Sequence, residues 1–413
     1  KRERSKARYM GLDQEFISLD EVKKKNPLID PKRYLLALWD PIDGEVDPSG
    51  VTYAFAKAAK VHGGKYYTHT TVKDTSQKKD GSWDVIVPSS HGKDSALVSH
   101  QLKAKYGMHP LTATWAPYMY TDIGFQNYFN MTHRGFDGLV AWPNGYLHRK
   151  LSRVAFELKG DPFEAFVYGQ KAYPFQLALK FNIPLIFYGE NGEVEYGGSY
   201  KNENKSHETP EDWEKSYYKG AGFDTVLKEG FNMGIISEDE LSDNNFDFYR
   251  APPMNEIKKL NLQMHWWSYY KPWVPQENFY YSSKNTGFEP RHERTDGTYT
   301  KSFSIDDMLD PYHWYLAYIK FGYGRATREA CSDIRCGHIS REEGVALAQR
   351  YDHEFPKTYF KEFLEYLDIT EEHFWKVIDR YRSPHIWKKE NNKWKRTKIV
   401  SNNSLEGETP KTE

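Results

Sequence analysis

Six consecutive residues, Ser90-His91-Gly92-Lys93-Asp94-Ser95, have the types and spacing of an anion site. They follow the β-branched run Val85-Ile86-Val87 and precede Leu97, Val98 and Leu102 at helical spacing, which reads as strand, tight loop and helix start. Small residues let a backbone curl around a phosphate, and the free N–H groups of a helix's first turn point at its charge. Lys93 offers a point charge and Ser90 and Ser95 offer hydroxyl donors. Asp94 suits either bracing the loop or holding a magnesium ion that travels with a nucleotide. The other common phosphate loop, GxxxxGK[ST], is absent.

The surrounding pattern is α/β. Strands are expected at 111–115 and 138–142 and in the apolar run 183–188, with helices from 121, over 147–158 and over 172–181. Such alternation implies a mostly parallel sheet with helices on both faces. Ligands gather at the carboxyl ends of such strands, where 90–95, Asp122, 144–149 and 189–191 all fall. The C-terminal third reads as helices at 310–322, 325–335, 358–367 and 370–382, with Ser340 and Glu343 forming a capping box. Four regions result: an accessory segment 1–81, an ATP-binding α/β domain 82–235, a helical and aromatic-rich substrate or partner region 236–388, and a mobile tail 389–413. Within the first, Ser18 starts a helix over 19–25, Ser49 caps a second up to 62, and 65–72 is a strand. The polar stretch 202–211 reads as a surface insertion.

The loop resembles the SGGxDS loop of the PP-loop ATP pyrophosphatases, matching at Ser90, Gly92, Asp94 and Ser95, with Lys93 at the variable place. His91 stands where that family has its first glycine. A side chain there needs a negative φ or accepts a strained left-handed one, and the imidazole is expected to crowd the phosphate path. Residues 84–387 further resemble the N-acetyl sugar amidotransferases of lipopolysaccharide and flagellin-glycan synthesis, notably the branch tied to acetamidino forms of pseudaminic acid. The marks include Tyr120-Thr121-Asp122-Ile123-Gly124, Asn144-Gly145-Tyr146-Leu147-His148-Arg149-Lys150, Phe187-Tyr188-Gly189-Glu190-Asn191 with Glu195-Tyr196-Gly197, and Trp273-Val274-Pro275-Gln276-Glu277-Asn278. Residues 11–84 resemble a fragment of the FAD-dependent dimethylglycine dehydrogenase-like oxidoreductases, through Asp40-Pro41-Ile42-Asp43-Gly44. No GxGxxG follows a strand there, so no flavin site is expected.

The amidotransferase resemblance implies an adenine nucleotide α-hydrolase-like fold and a cytoplasmic, AMP-forming enzyme that uses ATP and Mg2+. The acetamido group of an N-acetylated, nonulosonic-type sugar would be adenylated on oxygen and converted by ammonia to an acetamidino group. By that resemblance Asp94, Lys93 and Glu190 are catalytic, Asp94 and Glu190 are the candidate magnesium ligands, and Ser90, His91, Gly92, Lys93, Asp94, Ser95, Asp122 and Gly189 hold the nucleotide. Neither Cys331 nor Cys336 sits in a glutaminase signature, so ammonia is expected from a separate glutaminase subunit.

The remaining candidates carry two readings each. His148 and Arg149, with Lys150, form a basic cluster at a helix start, where cations gain nothing from the dipole; they bind an anionic ligand or form a solvated face. Asn191 and Glu195 follow the apolar strand as substrate contacts, and Asp122 touches the nucleotide or caps its helix. Gln276, Glu277 and Asn278, beside a belt of tryptophans and tyrosines, suit sugar hydroxyls, while the aromatics themselves suit a core or a subunit interface. Arg294 matches a sugar carboxylate. The 413 residues carry a formal net charge of −1, which argues against a nucleic-acid binder driven by bulk charge. A tRNA-modifying PP-loop enzyme and a catalytically silent scaffold are the competing readings. Two cysteines fit a reducing compartment, no run is long and apolar enough to span a bilayer, and a homo-oligomer stays open.

Overall fold

The computed structural model describes residues 15–25, 27, 29–34, 37–39, 57, 80–189, 206–208, 222–241, 244–397 and 399–400. The chain divides into two compact units, Lys1–Thr75 and Ser76–Glu413. In the first, β1 (Glu15–Ile17) pairs antiparallel with β2 (Ala37–Trp39), and α1 (Leu19–Lys25) lies between them in sequence. Ser18 starts α1 as expected, its hydroxyl accepting from Glu21 N at 3.2 Å. The second helix and the 65–72 strand expected in this unit lie outside the described residues, apart from helical Lys57.

The second unit is built on a sheet of β3 (Val85–Pro88), β4 (Pro110–Trp115), β5 (Asp137–Ala141), β6 (Leu185–Tyr188), β7 (His207–Glu208) and β8 (Gln263–Trp266), in the order β5-β4-β3-β6-β8-β7. Five strands are parallel and β7 is an antiparallel edge. The chain moves outward from β3 through β4 to β5, then returns to lay β6 on the other side of β3. This makes the β3/β6 seam the topological switch point, the place where open α/β sheets bind ligands.

Period-two alternation distributes β3 between two cores. Ile86 faces one with Leu111, Leu151 and Ile186, while Val85 and Val87 face the other with Leu97, Val98 and Leu102 of α2 (Lys93–Tyr106). α3 (Asp122–His133) and α4 (Gly145–Lys159) follow β4 and β5. α5 (Glu164–Phe181) starts eight residues before the expected 172, with Pro174 inside it. Its helical signal is hidden by Gly169, which is obligatory there because an added Cβ would fall 2.1 Å from the Trp115 ring.

The expected boundary at 235/236 does not divide this unit. After α6 (Phe223–Asn232), β8 joins the sheet and α7 (Pro275–Asn285) packs on α2. Within the stretch 202–211, His207–Glu208 forms the edge strand. The helical C-terminal region comprises α8 (Asp310–Phe321), α9 (Arg325–Arg335), α10 (Arg341–Tyr351), α11 (Phe360–Leu367) and α12 (Glu371–Arg380). Its core of Tyr312, Leu316, Phe363 and Phe374 receives Phe156 from α4, whose Leu151 and Val154 serve the sheet core. The Ser340/Glu343 capping box forms as expected.

The mobile tail expected from 389 is corrected by β9 (Trp387–Glu390) and β10 (Lys393–Arg396), an antiparallel hairpin. Asn391 and Asn392 take φ of 48° and 62°, the left-handed pair a tight hairpin turn requires. Trp387 is buried and donates from Nε1 to Ile319 O at 2.7 Å, and Trp394 packs on the same core. Among the described residues no helix is long and apolar enough to cross a membrane.

Candidate active site

β3 ends at the switch point and the chain turns through Ser89–Gly92 into α2. Gly92 is the N-cap, with φ −70°, ψ 168° and no side-chain cap, so no side chain covers the first-turn N–H groups from the cap position. Ser89 braces the turn from inside: its hydroxyl donates to Ser95 Oγ at 2.9 Å and accepts from His91 N at 3.0 Å. Gly189, at the end of β6, presses on the same turn; an added Cβ would lie 3.1 Å from Ser95 N. Lys93 is almost wholly enclosed, with Nζ 2.7 Å from Asp94 Oδ2 and 3.5 Å from the Phe303 ring centroid. Asn278 of α7 donates to Asp94 Oδ1 at 3.0 Å, and Ser282 donates to the Lys93 carbonyl at 2.5 Å. The loop, α2 and α7 therefore form one hydrogen-bonded block.

The opposite wall comes from 302–310, the segment that runs into α8. A cleft of about 230 Å³ runs between it and the loop, with Ser90, Lys93, Gln170, Asp306 and Arg325 on its lining. Burial first, then the charge of Asp310, pushes the Asp306 carboxyl up to about 7, against opposing pulls from a Ser90 hydrogen bond and from Arg325. Its backbone is pinned by α3: Thr121 N donates to Asp306 O at 3.1 Å, and a Cβ on Gly124 would fall 2.5 Å from Asp306 Cα. Burial also raises the neighbouring Asp307 carboxyl well above the usual range, and this group staples the wall. It accepts from Tyr118 N at 2.6 Å and Leu309 N at 2.9 Å. Arg325 is held by Glu329, Nε to Oε1 2.9 Å, and lies 4.4 Å and 4.6 Å from the Trp314 and Phe303 ring centroids.

Ser90, Gly92, Lys93, Asp94, Ser95 and Gly189 thus meet at one cleft. Glu190, Asn191 and Glu195 lie outside the described residues. His91 takes φ 62°, the strained option, and its ring packs edge-on against Tyr128 at 4.7 Å, off the cleft lining. The expected crowding of a phosphate path is therefore corrected: the left-handed backbone carries the imidazole away. Burial lowers its pKa to about 4.

Five further expectations change. His148 is buried, stacked on Tyr118 at 4.9 Å and bonded through Nδ1 to Tyr249 OH at 2.9 Å; burial lowers its pKa to about 3, so it supplies no cation. Arg149 binds the carbonyls of Glu365 and Tyr366, each at 2.9 Å, at the C-terminal turn of α11. Arg294 forms a two-point pair with Glu354 at 2.5 and 2.6 Å, leaving its fork committed. Asp122 is exposed and off the lining; Thr121 is the actual cap, accepting from Gly124 N at 3.1 Å. Gln276 and Glu277 are exposed on α7, whereas Asn278, the next residue, reaches Asp94. Helical phase explains this choice of Asn278, and a helix assigned from Pro275 would have brought it out.

Two family models match the chain. Residues 294–401 match the LPS biosynthesis protein WbpG-like, C-terminal domain, and residues 1–99 match FAD dependent oxidoreductase. The first match supplies Asp306, Asp310 and Arg325, the far wall of the cleft. Among characterised proteins, mitochondrial dimethylglycine dehydrogenase of Homo sapiens is 28% identical over 87 residues, 21% of this chain and 10% of that protein. The Mus musculus protein is 25% identical over 95 residues, 23% of this chain and 11% of that protein. The chain thus spans about a tenth of the length of these relatives.

Proposed function

We propose that this protein is an ATP-dependent, AMP-forming amidotransferase of glycan biosynthesis that converts the acetamido group of an N-acetylated acidic sugar to an acetamidino group. The carrying observation is the strand-loop-helix at the β3/β6 switch point, faced by a wall from the segment that matches the WbpG-like domain. The sugar's amide oxygen attacks the α-phosphorus of ATP and pyrophosphate leaves. Ammonia then adds to the activated carbon, loses a proton, and AMP departs with the oxygen. Lys93 and the first-turn N–H groups of α2 offset charge on the phosphates. Asp306, a carboxyl that changes charge near neutrality, is the proton acceptor for the incoming nitrogen.

Magnesium is a hard cation that keeps water and takes one or two carboxylates together with substrate phosphates, and it would neutralise phosphate charge here. Asp94 fits that donor type in the cleft, after release from Lys93; no group of three or more His, Cys, Asp or Glu is arranged for a metal among the described residues. The FAD dependent oxidoreductase match, over residues 1–99, carries no step of this proposal.

The test is incubation with ATP, Mg2+, ammonia and an N-acetylated acidic sugar. AMP and pyrophosphate should form in equal amounts with the amidine. Formation of ADP and phosphate, or no nucleotide turnover, refutes the reading. Glutamine in place of ammonia should give no product until a separate glutaminase is added.

A further inference from the structure

The candidate phosphate loop and the 302–310 segment give the cleft charged walls, whereas α5 places no charged residue on its lining. Phe163, the N-cap residue of α5, Phe166 and Gln170 all reach the lining at spacing i, i+3 and i+7. One stripe of the helix therefore faces the cleft, with two aromatic rings followed by an amide. Packing fixes the height of this stripe over the sheet. Gly169 lets the helix touch the Trp115 ring, and Trp115 is itself buried against Tyr249 and Tyr173, with ring centroids 5.3 and 6.4 Å away. Tyr118 backs both phenylalanines, its ring 4.9 Å from that of Phe163 and 5.5 Å from that of Phe166, and its hydroxyl accepts from Phe166 N at 3.2 Å. Gln170 is half-buried, yet its side-chain amide makes no hydrogen bond with the described residues.

We propose that Gln170 reads the acetamido group of the acceptor, its amide hydrogen-bonding the acetamido amide while Phe163 and Phe166 cover the methyl group. An acetamido group is a neutral amide with one N–H and one carbonyl, and a glutamine side chain offers the matching carbonyl and N–H. Its methyl needs an apolar cover, which the two rings on the same helix stripe supply. The location follows from the reaction. The amide oxygen has to reach the α-phosphorus, so the acetamido group is the part of the acceptor that must enter the cleft beside the loop. Accepting the acetamido N–H on Gln170 Oε1 also directs electron density toward that oxygen, the atom that attacks. A helix position set by packing holds such a contact more precisely than a loop does. The choice of an acetamido group rests on the proposed reaction; the uncharged stripe and its unbonded amide do not.

The experiment measures sugar binding without ATP by titration calorimetry, so that it is independent of turnover. Two matched pairs of probes differ only in a hydroxyl that replaces the acetamido group: N-acetylneuraminic acid against ketodeoxynononic acid, and UDP-N-acetylglucosamine against UDP-glucose. In at least one pair the acetamido probe should bind roughly tenfold more tightly, the scale of a hydrogen bond together with a buried methyl. Gln170→Met keeps the side-chain length and a good helix former and gives up no hydrogen bond to the described residues, so the fold should hold. In this variant the preference should shrink to about threefold or less, while the hydroxyl probe and, in a separate titration, ATP keep their affinities within about twofold. No acetamido preference in either pair, or an unchanged preference in the variant, overturns the assignment. A variant that loses ATP affinity and keeps the acetamido preference overturns it too, and gives the stripe to the adenine base. If the preference falls in the variant but the parent forms no AMP, the subsite stands and the reaction does not. AMP formation with the preference unchanged in the variant keeps the reaction and removes the subsite.

Discussion

Replacing Asp306 by Asn should make the protein more stable, and by an amount that depends on pH. The Asp306 carboxyl is raised from 3.8 to about 7, chiefly by burial. Folding then costs free energy once the unfolded chain ionises above about pH 4. The cost grows as pH rises to about 7, and above that both states are ionised and it stays level. A rise of about three units corresponds to roughly 4 kcal/mol for an enclosed group. Asp306 lines an open cleft and is half-buried, so screening reduces this to about 2 kcal/mol. For a unit of this size that is a Tm gain of roughly 2–5 °C. Scanning calorimetry of parent and Asp306→Asn from pH 3.5 to 8.5 should give coincident Tm values below pH 4, a gap opening between 4 and 7, and a constant gap above. A gap independent of pH, or a parent more stable at pH 8, would refute the reasoning. The Asn variant should at the same time lose the proton acceptor, giving a stable protein slow in amidine formation.

Asp94→Asn should lower pyrophosphate release by roughly a hundredfold or more, since a positioned charge at a transition state carries that much, and should lower Tm with the fold retained because enclosed Lys93 loses its anionic partner; activity within threefold of the parent would remove Asp94 from the site. His91→Gly should leave kcat/KM for ATP within about threefold, because the ring packs on Tyr128; a larger rise would mean the imidazole does meet the phosphates after all. Arg294→Ala should cost about 1 kcal/mol of stability by stranding Glu354, with no change in sugar affinity; the opposite pattern in a binding titration would return Arg294 to the substrate.

The fold was legible where one chain segment carries its own signal. β3, the loop and α2 could be traced from apolar alternation, small residues and helical spacing, and the parallel order followed from alternating elements. Signals failed where a tertiary contact sets the residue. Gly169 and Pro174 hide α5 because the helix answers to the Trp115 ring rather than to helix propensity. The Asn391-Asn392 turn sits in a lysine-rich stretch that masks it, although two residues able to take positive φ between Trp387 and Trp394 are a hairpin signal. Basic residues at the start of α4 suggested an anion, but such a cluster cannot reveal that Arg149 meets the helix carbonyls of α11.

The site divides along the same line. The candidate phosphate loop is local: its glycine, hydroxyls and uncapped helix start are contiguous in sequence. The wall that faces it is not, since Asp306 is one of 58 acidic residues and nothing beside it in the chain marks it out. Its raised pKa comes first from burial and then from the charge of nearby Asp310, while the distant Gly124 and Thr121 of the α3 turn pin its backbone. The same division bears on chemistry. On the proposed function the loop would deliver the same phosphate recognition to many substrates, whereas Asp306 and Arg325 come from the segment matching the WbpG-like domain. Substitutions in the loop should therefore change ATP handling for every acceptor alike. Substitutions in the facing wall should change which acceptor is used.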